Sequence, residues 1–210
     1  MSSARILPPR TLRRVYDRVG AWQDTQAVYE APAFNALVAC GQWGRVGSLF
    51  ELGCGTGRLA ARLLRDGLPA NARYTGVDLS PVMVRRARTR LAPYAPRAAV
   101  RRTNGRVRFS DAAATYDGVL ATYVLDLLAP AAIRRFLAEA HRLLAPGGRL
   151  FLAGLTHGTA PLARLASWGW KQVHRIAPSI VGGCRPLDSR VYLTEAAWRI
   201  QVRQIGRAHV

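Results

Sequence analysis

The sequence is poor in lysine and in acidic residues. Lys171 is the only lysine among 31 basic residues, and the 12 acidic residues leave a net charge of +19. A protein selected for phosphate contacts generally uses lysine as well as arginine. The composition is therefore better explained by a GC-rich coding sequence than by a dedicated anion-binding surface. Residues 85–108 nevertheless carry nine arginines and no acid, which keeps nucleic acid, anionic lipid or an acidic substrate open as a partner.

Cysteine and histidine are scarce as well. Cys40, Cys54 and Cys184 form an odd set without C-x-x-C spacing, and the four histidines are scattered. This pattern predicts neither a disulfide framework nor a zinc site, so we expect no bound metal. We also expect the thiols of Cys54 and Cys184 to be chemically inert.

Long apolar runs are absent. No stretch reaches the roughly 20 apolar residues of a membrane span, and the basic N-terminus lacks the apolar core of a signal peptide. We therefore expect a cytoplasmic protein without a membrane span, with peripheral membrane contact left open. The sequence does not indicate an oligomeric state.

The apolar residues that are present predict one α/β domain. Half of the 210 residues are hydrophobic, which is enough for one buried core. After a mostly helical segment over residues 10–39, divided by Pro32, short apolar strands alternate with amphipathic helices. This alternation predicts a Rossmann-like, doubly wound and mostly parallel sheet with helices on both faces. We predict a helical cap over residues 1–44 and a ligand-binding domain over residues 45–204.

Turn and capping residues predict where these elements lie. Ser80 and Pro81 give a strong helix start, and Pro130 begins a second clear helix. Strands are predicted at residues 46–52, 72–79, 97–103, 116–125, 149–155 and 198–205.

A glycine-rich loop, with Gly53, Gly55 and Gly57, follows the first predicted strand. Glycine permits positive φ and lets a ligand approach the backbone closely. The G-x-G-x-G spacing differs from G-x-G-x-x-G, and no lysine follows at P-loop spacing, so a pyrophosphate cradle is disfavoured. Ligands of parallel sheets bind beyond the carboxyl ends of the strands, where the strand order reverses. We therefore expect a ligand at this loop.

Asp78 ends the second predicted strand. A carboxylate at this position can accept hydrogen bonds from both hydroxyls of a ribose, which indicates a nucleoside-bearing ligand. Alternatively, Asp78 only caps the helix that follows, although Ser80 is better placed to do so.

Four ordered motifs over roughly residues 45–155 carry a family resemblance. ELGCGTGRLA, YTGVDLSPVMVRRAR, YDGVLATYVLDLL and AHRLLAPGGRLFLAGL together resemble the class I S-adenosylmethionine-dependent methyltransferases. The resemblance implies S-adenosyl-L-methionine as the cofactor. It also implies the residues that bind this cofactor: Glu51, Gly53, Cys54, Gly55, Thr56, Gly57, Asp78, Leu79, Met83, Asn104, Gly105 and Thr122.

Each part of the cofactor has implied neighbours in this set. Glu51 and the glycine loop would hold the methionine part, and Asp78 would bind the ribose. Leu79 and Met83 would flank the adenine. The family's acidic residue after the third strand corresponds to Asn104, followed by Gly105, and its amide oxygen can face the adenine amino group. An alternative alignment uses Asp111, which we instead assign to a surface turn before the fourth strand.

The sequence after the fourth strand bears on the methyl acceptor. TYVLD, residues 122–126, lacks the Asn/Asp-Pro-Pro-aromatic turn of nucleobase-amine and glutamine methylases, and no cysteine lies nearby for C5 methylation of a base. A small-molecule acceptor of lipid-like or quinone-like character is therefore favoured over nucleic acid. RNA-directed methylation through the arginine-rich segment, or a catalytically inactive cofactor-binding protein, are the alternatives.

No nucleophilic triad is apparent, and methyl transfer from a sulfonium needs none. In-line placement of the acceptor supplies much of the rate, and a base is required only for an acceptor that is protonated at rest. Tyr123, Asp126 and His157 follow strand ends at the reactive edge. They are the candidates for acceptor contact or proton removal.

The last six residues, 205–210, are expected to be non-native. Their sequence, IGRAHV, is also the translation of a common sequencing adapter read in one frame. If the chain is truncated there, the sheet lacks the last antiparallel strand of the family, which exposes strand edges.

Overall fold

The computed structural model describes residues 6–19, 27–156, 169, 172, 174, 176 and 183–201. Within them, five strands form one sheet in the spatial order β3-β2-β1-β4-β5, and every neighbouring pair is parallel. This arrangement confirms the predicted Rossmann-like fold, and the chain order reverses between β1 and β4. The strands are β1 (Ser48–Leu52), β2 (Arg73–Asp78), β3 (Ala98–Arg102), β4 (Tyr116–Thr122) and β5 (Leu144–Ala153).

Helices connect and flank these strands. The predicted start of the helix after β2 is confirmed, because Met83 N donates to Ser80 Oγ at 3.2 Å and Pro81 occupies the first turn. A wider helical turn, Leu63–Gly67, continues the short helix after β1. The helices are α1 (Pro9–Val19), α2 (Ala27–Cys40), α3 (Arg58–Arg62), α4 (Pro81–Leu91) and α5 (Pro130–Leu143).

Pro32 lies inside α2, so the prediction that it divides the N-terminal helical segment was wrong. A proline removes only one backbone donor, and here it does so within the first turns of the helix. Phe34 is buried in the core beyond it, with Leu37 and Val38 packed alongside. This tertiary packing holds the helix together across the proline.

The two faces of the sheet bury separate hydrophobic clusters, because successive strand residues point to opposite sides. Leu49 and Leu120 lie in the cluster under α3 and α4, whereas Phe50 and Val119 lie in the cluster under α5. Both clusters consist mainly of side chains that are almost fully buried. The sheet is therefore covered on both faces, as the near-continuous apolar strands predict.

One predicted strand ends earlier than the sequence pattern indicates, and another is not formed over its described residues. β4 stops at Thr122, because Tyr123 takes a left-handed backbone conformation with φ 54°. Residues 198–201 form no strand. Trp198 instead packs its ring edge-on against His141 of α5, with ring centroids 5.7 Å apart. The rest of that predicted strand and the tail at 205–210 lie outside the described residues.

The described residues also contain no membrane-spanning helix and no cluster of metal-binding side chains. No helix among them is both long and apolar enough to cross a membrane. No group of three or more His, Cys, Asp or Glu side chains in this part of the chain could hold a metal ion.

Asp111 lies in a bend before β4, but its partly buried side chain joins several elements, so its assignment to the surface was wrong. Its carboxylate accepts hydrogen bonds from Arg101 Nη2 at 2.7 and 2.8 Å and from the Tyr116 hydroxyl at 2.7 Å. Its carbonyl accepts from Arg142 Nη1 at 2.9 Å. Although partial burial acts to raise it, the hydrogen bonds from Tyr116 and Arg101 hold the pKa of Asp111 below its usual range. The residue thus ties β3, β4 and α5 together.

Replacing this junction should destabilise the fold. We expect Asp111→Ala to lower the free energy of unfolding at pH 7 by about 2 kcal/mol, because charged hydrogen bonds to Arg101 and Tyr116 are lost. The depressed pKa means that this stabilisation is present at neutral pH and is lost as the pH falls through the acidic range of Asp. Urea unfolding of wild type and variant at pH 7 and at about pH 3 measures the difference.

The matched control is Asp66→Ala. Asp66 is also paired with an arginine, Arg65, but both side chains are exposed, and exposed pairs contribute little to stability. Equal urea midpoints for Asp111→Ala and Asp66→Ala at pH 7 would contradict the structural role of Asp111.

Candidate functional site

A cavity of about 300 Å³ opens at the carboxyl edge of the sheet. Its walls include the loops after β1, β2, β3 and β4, so it lies where the strand order reverses. One side of α1 forms a further wall, through Pro9, Leu12, Arg13 and Tyr16. The ligand position expected from the glycine loop therefore coincides with a real cavity.

The structure brings most of the predicted cofactor residues together around this cavity. The exceptions are Gly57 and Asn104. The residues that line it are Glu51, Gly53, Cys54, Gly55, Thr56, Asp78, Leu79, Met83, Gly105 and Thr122.

Glycine is required in the loop for two different reasons. A Cβ at Gly57 would lie 3.2 Å from the Cα and Cβ of Ala87, so this glycine lets the loop pack closely on α4. Gly55 has φ 53°, and a Cβ there would meet no protein atom within 4 Å. Gly55 therefore presents bare backbone to the cavity, whereas Gly57 serves packing behind it.

Asp78 is held rigidly at the end of β2. Its Oδ2 accepts from Gly55 N at 3.0 Å, and its Oδ1 accepts from Ser80 N at 2.8 Å. Burial raises the pKa of Asp78 above its usual value, against the lowering effect of these backbone N–H groups. The carboxylate thus joins the loops after β1 and β2 while it lines the cavity.

Glu51 is a second carboxyl group on the same wall, and its side chain is buried. Burial raises its pKa to about 7, the hydrogen bond from Tyr74 lowers it, and the nearby Asp78 raises it. Burial and these two carboxylates also raise the pKa of the Cys54 thiol, so the thiol stays neutral. This end of the cavity therefore holds two carboxyl groups whose ionisation is disfavoured by desolvation and by their mutual repulsion.

Asn104 does not reach the cavity. It is exposed, and its Oδ1 accepts from Arg106 N at 2.9 Å, which closes a local turn. Gly105 lines the cavity instead, and a Cβ there would lie 3.4 Å from both Leu79 and Pro9. The side chain predicted to face an adenine is thus used by its own turn.

Sequence reasoning missed several lining residues, chiefly those of α1 and the loop after β3. Their contribution depends on how α1 packs across the sheet edge, which no local motif encodes. Leu12 and Tyr16 recur at helical spacing, which indicates a buried helix face but not what it covers. The missed residues include Pro9, Leu12, Arg13, Thr103 and Val107.

Tyr123 lies at the cavity wall directly after β4. Its N–H donates to the carbonyl of Ala153 at 2.8 Å, and its ring lies 6.1 Å from that of Phe34 between centroids. The left-handed conformation of a bulky residue is costly and recurs at functional sites. The structure therefore places this candidate beside the cavity.

Asp126 does not line the cavity. Its Oδ2 accepts from Leu155 N at 2.8 Å, and its carbonyl accepts from Arg185 Nη1 at 3.2 Å. Burial raises its pKa to about 7, while the Leu155 N–H and the Arg185 charge oppose the shift. Asp126 therefore anchors the segments after β5. His157, the third candidate, lies outside the described residues.

The arginine-rich segment, residues 85–108, is partly built into the fold. Arg88 donates to the carbonyl of Val100 and Arg97 to the carbonyl of Leu64. Arg90 donates to the carbonyl of Thr56, and Arg101 pairs with Asp111 as described. Four of the nine arginines therefore stabilise loops and helix ends, which weakens the interpretation of the segment as one anion-binding surface.

Comparison with known proteins agrees with this geometry. Residues 49–148 match the family model described as a methyltransferase domain. The chain is 32% identical over 162 residues to the demethylmenaquinone methyltransferase of Tropheryma whipplei (strain Twist), which covers 73% of this chain. The match spans 64% of that relative's own length.

Solved structures share the fold at low sequence identity. The DhpI-SAH complex superposes with a TM-score of 0.60 at 22% identity, over 71% of this chain and 70% of that one. An O-methyltransferase family protein from Burkholderia thailandensis gives 0.58 at 20% identity, over 72% and 46% of the two chains. Over residues 49–148 this chain thus carries a domain of the class I S-adenosylmethionine-dependent methyltransferases, the family that its four motifs predict.

Proposed function

We propose that the protein transfers a methyl group from S-adenosylmethionine to a small-molecule or lipid-like acceptor of quinone-like character. One observation carries the proposal: a single cavity joins an acidic wall, formed by Glu51 and Asp78, to an apolar wall around Phe34 and Tyr123. The name of the Tropheryma whipplei relative, a demethylmenaquinone methyltransferase, supports this acceptor class.

The acidic wall suits the cofactor. S-adenosylmethionine bears an ammonium and a sulfonium group, and supplies a methyl group that the sulfonium already activates. Desolvation raises the pKa values of the buried Glu51 and of the partly buried Asp78, so a cationic ligand relieves the cost of their ionisation. Asp78 is held by Gly55 N and Ser80 N, and its remaining lone pairs can accept the two ribose hydroxyls.

The loops around the cavity hold the rest of the cofactor in this proposal. Gly53, Gly55 and Thr56 contact its methionine part, and Thr122 closes the cavity from the end of β4. Leu79 and Met83, at the start of α4, flank the adenine. Because Asn104 is occupied by its own turn, Gly105 and its neighbours form the surface near the adenine edge.

The apolar wall suits a flat, hydrophobic acceptor. Burial of such a ring is driven by the apolar area that it removes from water. Positioned in line with the cofactor, the acceptor needs little further assistance. Among the candidate residues that the structure describes, Tyr123 lines the cavity and Asp126 does not. Tyr123 is therefore the candidate for contact with the acceptor. The apolar wall includes Leu7, Leu12, Phe34, Val124, Leu127 and Leu128.

A lipid-like acceptor also favours peripheral membrane contact. Arg10, Arg14 and Arg18 are exposed along one face of α1, the helix that forms a cavity wall. Arginines near an anionic leaflet each contribute about 1 kcal/mol of attraction. Docking through α1 would bring the cavity close to an acceptor dissolved in the bilayer.

Cofactor binding is tested by calorimetric titration with S-adenosylhomocysteine at pH 8. We expect wild type to bind and Asp78→Asn to bind about tenfold to a hundredfold more weakly, because two hydroxyl donors lose a charged acceptor. Asp66→Asn, an exposed aspartate outside the cavity lining, is the control and should match wild type. Absence of heat at high micromolar ligand with folded wild type contradicts the proposed function.

The acceptor site is tested by methyl transfer from labelled S-adenosylmethionine to a reduced demethylated naphthoquinone. We expect Tyr123→Phe to lower kcat by about tenfold or more, because its hydroxyl would no longer orient the acceptor by a hydrogen bond, with cofactor affinity unchanged. Tyr116→Phe, which loses a hydroxyl on the other side of the sheet, should keep its kcat. Equal kcat for the two variants would remove Tyr123 from the reaction.

Membrane contact is tested by sedimentation with phosphatidylglycerol–phosphatidylcholine vesicles. We expect Arg10→Gln/Arg14→Gln to weaken vesicle binding by about tenfold or more, since two surface charges are lost. Arg134→Gln/Arg135→Gln removes two exposed arginines from α5 and serves as the control. Equal losses in both variants would point to net charge rather than to the α1 face.

A further inference from the structure

Tyr74 lies on β2 directly beneath the glycine loop. Its hydroxyl donates to Glu51 Oε2 at 2.5 Å, and both side chains are only 1% exposed. β1 and β2 pair so that Gly76 lies opposite Glu51. The Tyr74 ring therefore runs along the face of the sheet toward its carboxyl edge and reaches a carboxylate on the neighbouring strand.

Gly76 provides the room for this contact. Residues two apart on a strand share a face, and a Cβ on Gly76 would lie 2.5 Å from the Tyr74 hydroxyl oxygen. It would also lie 3.0 Å from the Cβ of Cys54. A larger residue at position 76 would displace either the ring or the loop, so Tyr74 and Gly76 form one arrangement.

The other groups that face Glu51 do not favour its ionised form. Asp78, at the end of β2, raises its pKa by charge repulsion. Cys54, in the loop, is a neutral thiol, and β4 places Leu120 beside Glu51. Tyr74 keeps its proton, because burial and the charge of Glu51 raise the pKa of its phenol, and its hydrogen bond lowers the pKa of Glu51.

We infer that Tyr74 is a positioning residue for the cofactor: its hydroxyl fixes the buried Glu51 carboxylate at the cavity wall so that this carboxylate can receive the ammonium group of the methionine part. The inference rests on the proposed function, because it needs a ligand with a cationic group at this wall. Tyr74 does not itself line the cavity, so it acts through Glu51.

A pH dependence of binding follows from this arrangement. Only ionised Glu51 pairs with an ammonium group, so affinity should rise as the pH increases through the pKa of about 7. From pH 6 to pH 8 the ionised fraction grows about tenfold. Loss of the Tyr74 hydroxyl removes a hydrogen bond that lowers this pKa, so the affinity profile should move to higher pH.

The test is calorimetric titration with S-adenosylhomocysteine between pH 5.5 and pH 8.5. We expect the midpoint for Tyr74→Phe to lie about one pH unit above that of wild type, the size expected for one lost hydrogen bond to a charged group. Affinity should then be about fivefold lower at pH 7 and converge with wild type toward pH 8.5. Convergence at high pH is the result that a merely structural role would not produce.

Two controls assign the titration to the correct groups. Glu51→Gln should remove the dependence of affinity on pH near 7, so any dependence that remains belongs to the ligand or to Asp78. In the double variant Glu51→Gln/Tyr74→Phe, the loss of the Tyr74 hydroxyl should cause no further change. Tyr116→Phe also removes a buried hydroxyl that donates to a carboxylate, but it should leave the midpoint unchanged.

The outcomes separate this inference from the proposed function. Failure of wild type to bind S-adenosylhomocysteine would refute the proposed function. Binding by wild type with an unshifted Tyr74→Phe midpoint, or with the same loss at every pH, would overturn the role of Tyr74 alone. Gly76→Ala, which crowds the hydroxyl without removing it, provides a second variant and should also shift the midpoint upward.

Discussion

The placement of two carboxyl groups, one buried and one partly buried, at the carboxyl edge of the sheet is the constraint on which the site depends. Glu51 and Asp78 lie at the ends of adjacent parallel strands, on one cavity wall. Raising the pKa of Glu51 from 4.5 to about 7 corresponds to about 3 kcal/mol at alkaline pH. The folded protein therefore loses stability as the pH rises between these two values, because the unfolded chain ionises Glu51 first. A cationic ligand can return this free energy on binding.

The surrounding structure serves mainly to hold these carboxyl groups in place. Backbone N–H groups of Gly55 and Ser80 fix Asp78, and the Tyr74 hydroxyl fixes Glu51. Ser80 also donates its hydroxyl to Asp17 of α1 at 2.6 Å. The same short segment thus caps α4, orients Asp78 and docks the helix that walls the cavity.

Local sequence signals predicted the elements that depend on local physics. The glycine loop, the Ser80–Pro81 helix start and the apolar strands β1, β2 and β4 follow from backbone preferences and from burial on both faces of the sheet. The sheet could therefore be predicted, together with the position of the ligand site at its edge. The cofactor family needed the four motifs taken together.

The misses share a cause, which is tertiary contact. The local sequence predicts a surface position for Asp111, yet Arg101 of β3 and Tyr116 of β4 bind its carboxylate and partly bury it. Pro32 does not end α2, because residues beyond it pack on the core. Asn104 matched a family position, but its oxygen closes its own turn. The cavity wall formed by α1 depends on a packing that no motif near residues 9–19 records.

The central claim is that a cationic cofactor binds against the buried Glu51 and the partly buried Asp78. The most direct measurement is the number of protons exchanged when S-adenosylhomocysteine binds at pH 7, from calorimetry in buffers of different ionisation enthalpy. Because the pKa of Glu51 is about 7, the account predicts release of about half a proton per site. Binding with no proton release, or with proton uptake, would contradict it.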